Sequence, residues 1–184
     1  MPAIETIYEY CDVLRLDPAL ITDSGIRKSK VYFIHDDKTT KSSLEEIFNG
    51  LLSPNEEFFE STHLVIQNRK ILAYRYSHNT VWFSFRELCD GPRSQNDYIQ
   101  ISKEYHTVII ENIPELTEDR ENMTRRFISL VDEFYDRNVK LIVSAEKPYM
   151  KLYSGRDLVF EFERTRSRLV EMQSKDYLSN PRTP

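Results

Sequence analysis

Glycine is scarce in this chain: four in 184 residues, at Gly25, Gly50, Gly91 and Gly155. Their positions exclude both GxxxxGK[ST] and GxGxxG, so no phosphate-cradling loop is encoded. Cysteine is scarcer still. Cys11 and Cys89 stand far apart and neither belongs to a CxxC pair. That pattern points to reduced thiols in a cytoplasmic protein, not to a disulfide framework or a zinc site. No apolar run approaches the roughly 20 residues that a membrane span needs. The N-terminus has neither the basic nor the apolar region of a signal peptide. His35, His63, His78 and His106 show no metal-ligand spacing. A strong charge of one sign is also missing. The net charge of −5 offers no general attraction to nucleic acid or anionic lipid.

What is present is ordinary for a globular protein: 40% apolar and 30% charged residues, enough chain for one compact domain. The organising stretch is 106–148. The apolar run Val108-Ile109-Ile110 precedes a helical pattern, and the run Leu141-Ile142-Val143 follows it. Two short apolar runs around an amphipathic helix predict a βαβ unit with both faces of its strands covered. Met123, Phe127, Leu130 and Phe134 give that helix its stripe, widened by Ile128, Val131 and Tyr135. The fold class expected is therefore α/β: a parallel βαβ core over about 106–145, an antiparallel β meander over about 62–85, and flanking helices.

The meander is read from strands at 62–67, 71–76 and 81–85, with Asn68-Arg69-Lys70 as the first turn. Upstream, 2–11 suits a short helix, 12–17 a strand, 21–30 a loop, 31–35 a strand and 40–51 a helix. Ser94 and Asp97 form a capping signal for a helix bearing Tyr98, Ile101 and Tyr105. Leu158, Phe162, Leu169 and Met172 mark a last helix. The division expected is one region over 1–178, β-rich over 12–90 and α/β over 94–178, with Gly91-Pro92 as the seam. A disordered tail is expected over 179–184.

Candidate chemistry is thin. ISLVDE (128–133) imitates the apolar-then-acidic string of ATPases, but the helical period runs through it, so Asp132 and Glu133 read as a helix edge. Arg164 and Arg168 are like charges four apart on the last helix. Either Glu161 and Glu171 pair with them locally, or they contact an anion or a partner. Arg93 lies in a Gly-Pro-Arg-Ser turn before a helix start. It could complete an anion site there or simply bond to Asp90. No Ser-His-Asp or Cys-His arrangement is readable. Trp82 and the other aromatics read as core, because no basic patch interleaves them.

Longer strings carry a resemblance. CDGPRSQNDYI (89–99), YHTVII (105–110), RRFISLVDEFYDRNVKLIVSAEKP (125–148) and FEFERTRSRLVEMQSKDYL (160–178) resemble the C-terminal half of the ZapE-like ATPases. This is an AAA-type family associated with bacterial cell division, with a mitochondrial relative, the lactation-elevated protein. PAIETIYEYCDVLRLD (2–17) is similar to the family just after its arginine finger. The likeness spans nearly the whole chain and is weakest over 21–60. At 24–27 this chain has Ser-Gly-Ile-Arg where members carry an Asp-Tyr-Arg run.

The resemblance implies a full-length protein about twice this length that binds and hydrolyses ATP with Mg. Its P-loop, magnesium carboxylates, sensor asparagine and arginine finger would lie upstream of residue 1. This chain would then be inactive alone, with no cofactor of its own. Its implied partners are its own N-terminal ATPase core, other copies in a homo-oligomer, and a division-ring protein. The family motifs GPRS and RTxSR imply nucleotide or subunit contacts at Arg93, Arg164 and Arg168. The layout of 106–168 also imitates half an AAA core, with Glu111 and Asn112 at the magnesium-site position and Ser144-Ala145-Glu146 at the sensor position. The competing expectation is a self-contained protein-interaction module without nucleotide dependence, with an apolar patch on the meander. A small independent enzyme has no catalytic constellation to support it.

Overall fold

A computed structural model describes residues 30–34 and 39–183. The helix expected over 2–11, the strand over 12–17, almost all of the loop over 21–30, Cys11 and His35 lie outside the described residues. Six strands form one mixed sheet in the order β1-β6-β5-β4-β3-β2. They are β1 (Tyr32–Ile34), β2 (Phe59–Ile66), β3 (Arg69–Tyr76), β4 (Thr80–Ser84), β5 (Thr107–Ile113) and β6 (Lys140–Ala145). The described helices are α1 (Thr39–Leu51), α2 (Phe85–Cys89), α3 (Gln95–Glu104), α4 (Glu121–Asp136), α5 (Val159–Glu171) and α6 (Lys175–Ser179). Two 3-10 turns cover Glu118–Arg120 and Tyr149–Lys151.

The βαβ unit is β5-α4-β6. Thr107, Val108, Ile109 and Ile110 pair in parallel with Lys140, Leu141, Ile142 and Val143. The runs are apolar throughout because alternate residues enter two different cores. Val108, Ile110, Leu141 and Val143 face Phe127, Leu130, Val131 and Phe134 of α4 and Phe162 of α5. Ile109 and Ile142 face the other way, with Trp82, against Leu44, Ile47 and Phe48 of α1. The i, i+3, i+4 spacing of those three residues gives α1 the stripe it needs. Trp82 is a core residue, fully buried beside Phe48 and Tyr74.

The meander is antiparallel as expected, β2 with β3 and β3 with β4. Its first turn differs from the expected Asn68-Arg69-Lys70. Arg69 pairs with Ile66 and Lys70 with Val65, so the turn is Gln67-Asn68, both with positive φ (48° and 58°). A two-residue turn of that hand matches the twist of the strands. The seam at Gly91-Pro92 does not interrupt the sheet, because β4 pairs in parallel with β5. β1 joins the other side of the unit in parallel, Tyr32 opposite Val143. α1 lies on one face of the sheet, and α4 and α5 lie on the other.

Polar contacts tie the end of the chain back to the sheet and helices. The Lys140 ammonium, almost wholly buried, donates to the carbonyls of Tyr177 (2.6 Å) and Asn180 (2.7 Å) and lies over the Tyr177 ring. Arg182 donates to the carbonyls of Ser102 and Lys103, and Thr183 N–H to that of Arg137. Periodicity could not show this, since backbone carbonyls are invisible to it.

Burial pushes the Lys140 pKa down from 10.5 to about 8. Folding therefore penalises the protonated lysine, and the penalty is released as pH rises through the folded value. Between about pH 8 and 10 the unfolded chain binds the extra proton, so stability due to Lys140 rises. Urea unfolding should show wild type gaining on Lys140→Met by on the order of 2 kcal/mol across that window. Parallel pH curves for the two proteins would contradict this.

Candidate functional site

Arg93 sits in the corner that follows β4. Ser84 caps α2 by accepting from the Glu87 N–H (3.4 Å), and the chain then turns at Gly91-Pro92. Before Arg75 no residue of β3 is paired to β4, and the corner takes over that edge. Arg93 Nε donates to the Glu87 carbonyl (2.8 Å) and Nη2 to the Lys70 carbonyl (3.3 Å), while the Glu87 carboxylate accepts from Leu72 N–H (3.2 Å). The expected alternative partner, Asp90, pairs instead with Arg86. With its side chain 10% exposed, Arg93 fastens a sheet edge to a turn.

The anion position at the start of α3 is filled by the chain itself. Asp97, fully buried, accepts from Ser94 N–H (2.6 Å) and Ser94 Oγ (3.0 Å) and pairs with Arg69. Arg69 also donates to the Pro92 carbonyl. The sequence signal for the cap was legible. Arg69 was missed because a turn residue gives no hint of a partner 28 positions away.

Arg164 and Arg168 come together across two helices. The local partners expected for them, Glu161 and Glu171, do not take the role. Asp132 of α4 accepts from Arg164 Nη2 (2.5 Å) and from Arg168 Nη1, and Arg168 Nη2 reaches Asp136 (3.5 Å). The Arg168 guanidinium also lies over the Tyr135 ring, 4.8 Å from its centre. Tyr135 donates to Glu171 (2.7 Å), and that bond, then burial, holds its phenol above the usual range. The pairs form because α4 and α5 run side by side over the sheet, with Phe127 against Phe162 beneath. The start of α5 is set by Tyr153, whose hydroxyl accepts from Leu158 N–H (3.0 Å) and whose ring stacks on Phe162. A Cβ at Gly155 would meet that hydroxyl at 2.5 Å and the ring at 2.6 Å. Arg168 is 21% exposed and Arg164 59%. Arg93 shares no partner with them.

The positions matching a magnesium site do not make one. Asn112 follows Glu111 in a left-handed bulge (φ 61°), and its N–H donates to Ser144 Oγ (3.0 Å). One carboxylate beside an occupied hydroxyl is a poor donor set for Mg, which prefers carboxylates, phosphates and water. Among the described residues no three His, Cys, Asp or Glu side chains converge to hold an ion. A cleft of about 660 Å³ near the ends of α4 and α5 is lined by Asp136, Glu171 and Asp176. Three carboxylates there disfavour phosphate. Burial pushes the Cys89 thiol up, so it is no nucleophile.

The AFG1-like ATPase family model matches residues 1–181. The chain belongs to the AFG1-like ATPase family. It is 39% identical to the cell division protein ZapE of Escherichia coli (strain K12), over 97% of this chain and 47% of that protein. It is 27% identical to lactation elevated protein 1 homolog B of Danio rerio, over 96% of this chain and 42% of that protein. The chain thus spans about half the length of the curated relatives it matches. No solved structure matches. No described helix is long and apolar enough to cross a membrane.

The corner of this AFG1-like chain yields a stability test. Removing one partner of a buried ion pair leaves an uncompensated charge, which costs about 3–5 kcal/mol. Arg69→Leu should therefore lower the urea unfolding free energy by about 3 kcal/mol. Arg86→Leu, which breaks an exposed pair, should cost under about 1 kcal/mol. Equal small losses would show that Asp97 does not depend on Arg69.

Proposed function

We propose that this chain is the non-catalytic, P-loop-less region of a ZapE-like ATPase. It serves coupling, oligomer or partner contacts in a longer protein that binds and hydrolyses ATP with Mg in the cytoplasm. A homo-oligomer and a division-ring protein are the partners this reading names. Arg164 carries it: a guanidinium 59% exposed, held at its base by Asp132 on a rigid helix pair. Arg forks onto carboxylate and phosphate, so such a group suits a nucleotide or neighbouring subunit brought to it. Arg168 shares Asp132, whose carboxylate offsets the repulsion between the two guanidinium groups. Arg93 acts from the corner by fixing the turn that precedes α3.

The second reading, an interaction module indifferent to nucleotide, draws on the meander. Val65 is 62% exposed on β2 and Leu72 36% exposed on β3. It predicts partner binding unchanged by ATP.

Charge reversal separates the two. Arg164→Glu in the full-length protein should lower ATP turnover at least tenfold, about 1.4 kcal/mol of barrier, with its melting curve intact. Lys103→Glu, on an exposed face of α3, should leave turnover unchanged. Wild-type turnover in Arg164→Glu would reject the assignment.

A further inference from the structure

The apolar groups exposed at one end of the sheet form a pattern. Phe160, in the first turn of α5, is 89% exposed, and its neighbour Val159 is 49% exposed. Met150, 53% exposed, lies in the 3-10 turn that packs against the start of α5. Ile34, 49% exposed, ends β1 beside Ala145 of β6. The Tyr32 and Tyr149 rings meet edge to face, and the Tyr32 hydroxyl donates to the Lys147 carbonyl, which ties β1 to the turn carrying Met150. All four residues therefore stand at the carboxyl end of the parallel strands or on the segment leaving it. In open α/β sheets that end is where ligands are received. A single exposed Leu or Val is normal on a monomer. A nearly bare Phe flanked by three further apolar groups is the mark of an interaction surface.

We propose that this patch, with Phe160 at its centre, docks the P-loop-bearing half of the same polypeptide. This rests on the reading above, that the chain is part of a longer ATPase. Two observations select the occupant. The relatives carry about as much chain again that this sequence does not match. The four glycines here exclude a P-loop, so an ATPase of this family keeps it in that unmatched half. Phe160 and Arg164 lie four apart on one helix, and such residues share a face. An interface centred on Phe160 therefore brings Arg164 to its edge. The rim is mixed in sign, with Lys151 and Arg164 standing among the exposed Asp157, Glu161 and Glu163, so a facing surface would offer carboxylates to the cations and donors to the carboxylates. An aromatic anchor with an arginine beside it is the composition that carries binding energy in protein interfaces.

The test uses the full-length protein with Phe160→p-benzoylphenylalanine, which keeps an aromatic ring at that position. Irradiation should yield an adduct at monomer mass, with residue 160 joined to a peptide of the P-loop half. An adduct at dimer mass, or crosslinks confined to the region of residues 1–184, would overturn the proposal. Crosslinking to the P-loop half with normal turnover in Arg164→Glu would reject the arginine contact and leave the docking surface standing. Loss of turnover in Arg164→Glu without that crosslink would reject the docking surface alone.

Discussion

The central strands have no side to show to water. β4, β5 and β6 place Val81, Phe83, Val108, Ile110, Leu141 and Val143 on one face and Trp82, Ile109 and Ile142 on the other, nearly all fully buried. Parallel strands of that kind persist only when helices cover both faces. The rest of the architecture meets this demand. α4 and α5 cover one face, and α1 with Leu178 covers the other. Each covering element is then fixed by polar contacts at its ends. Tyr177 donates to carbonyls at the end of α4, and Lys140 donates to the carbonyls of Tyr177 and Asn180.

The same demand positions the arginines. Two helices laid side by side on one face present their outer flanks to each other. There Asp132 lies between Arg164 and Arg168. Arg168 is engaged on three sides, by Asp132, Asp136 and the Tyr135 ring. Arg164 spends one nitrogen on Asp132 and keeps the rest of its fork toward solvent. Two identical residue types one turn apart thus differ in availability, and only packing decides which is which. Arg93 shows the opposite outcome. Its fork is consumed by main-chain groups at a sheet edge that β4 leaves behind when it turns into α2.

Much of the fold was legible because it rests on periodicity. The βαβ unit, the helix over Thr39–Leu51 and the capping signal at Ser94 and Asp97 follow from spacing and composition. The hairpin turn was misplaced by about one residue, since Asn68 accepts a left-handed backbone readily and Gln67 gives no such signal. Long-range pairing was not legible. Nothing in the local sequence sends β1 to the side of β6, Arg69 to Asp97, or Lys140 to the carbonyls of Tyr177 and Asn180. The arginines stood out by charge spacing and turn position as well as by motif resemblance, whereas Asp132, the partner of Arg164 and Arg168, was read only as a helix edge.

The most direct measurement is thermal unfolding of this chain with and without saturating Mg-ATP. A ligand held at about 100 times its dissociation constant stabilises a folded protein by about 2.7 kcal/mol. An unchanged transition is expected, because Glu111, Asn112 and Ser144 do not form a magnesium site and the cleft beside α5 is acidic. A clear upward shift would mean that this half holds nucleotide by itself, and would contradict its assignment as the non-catalytic part of the ATPase.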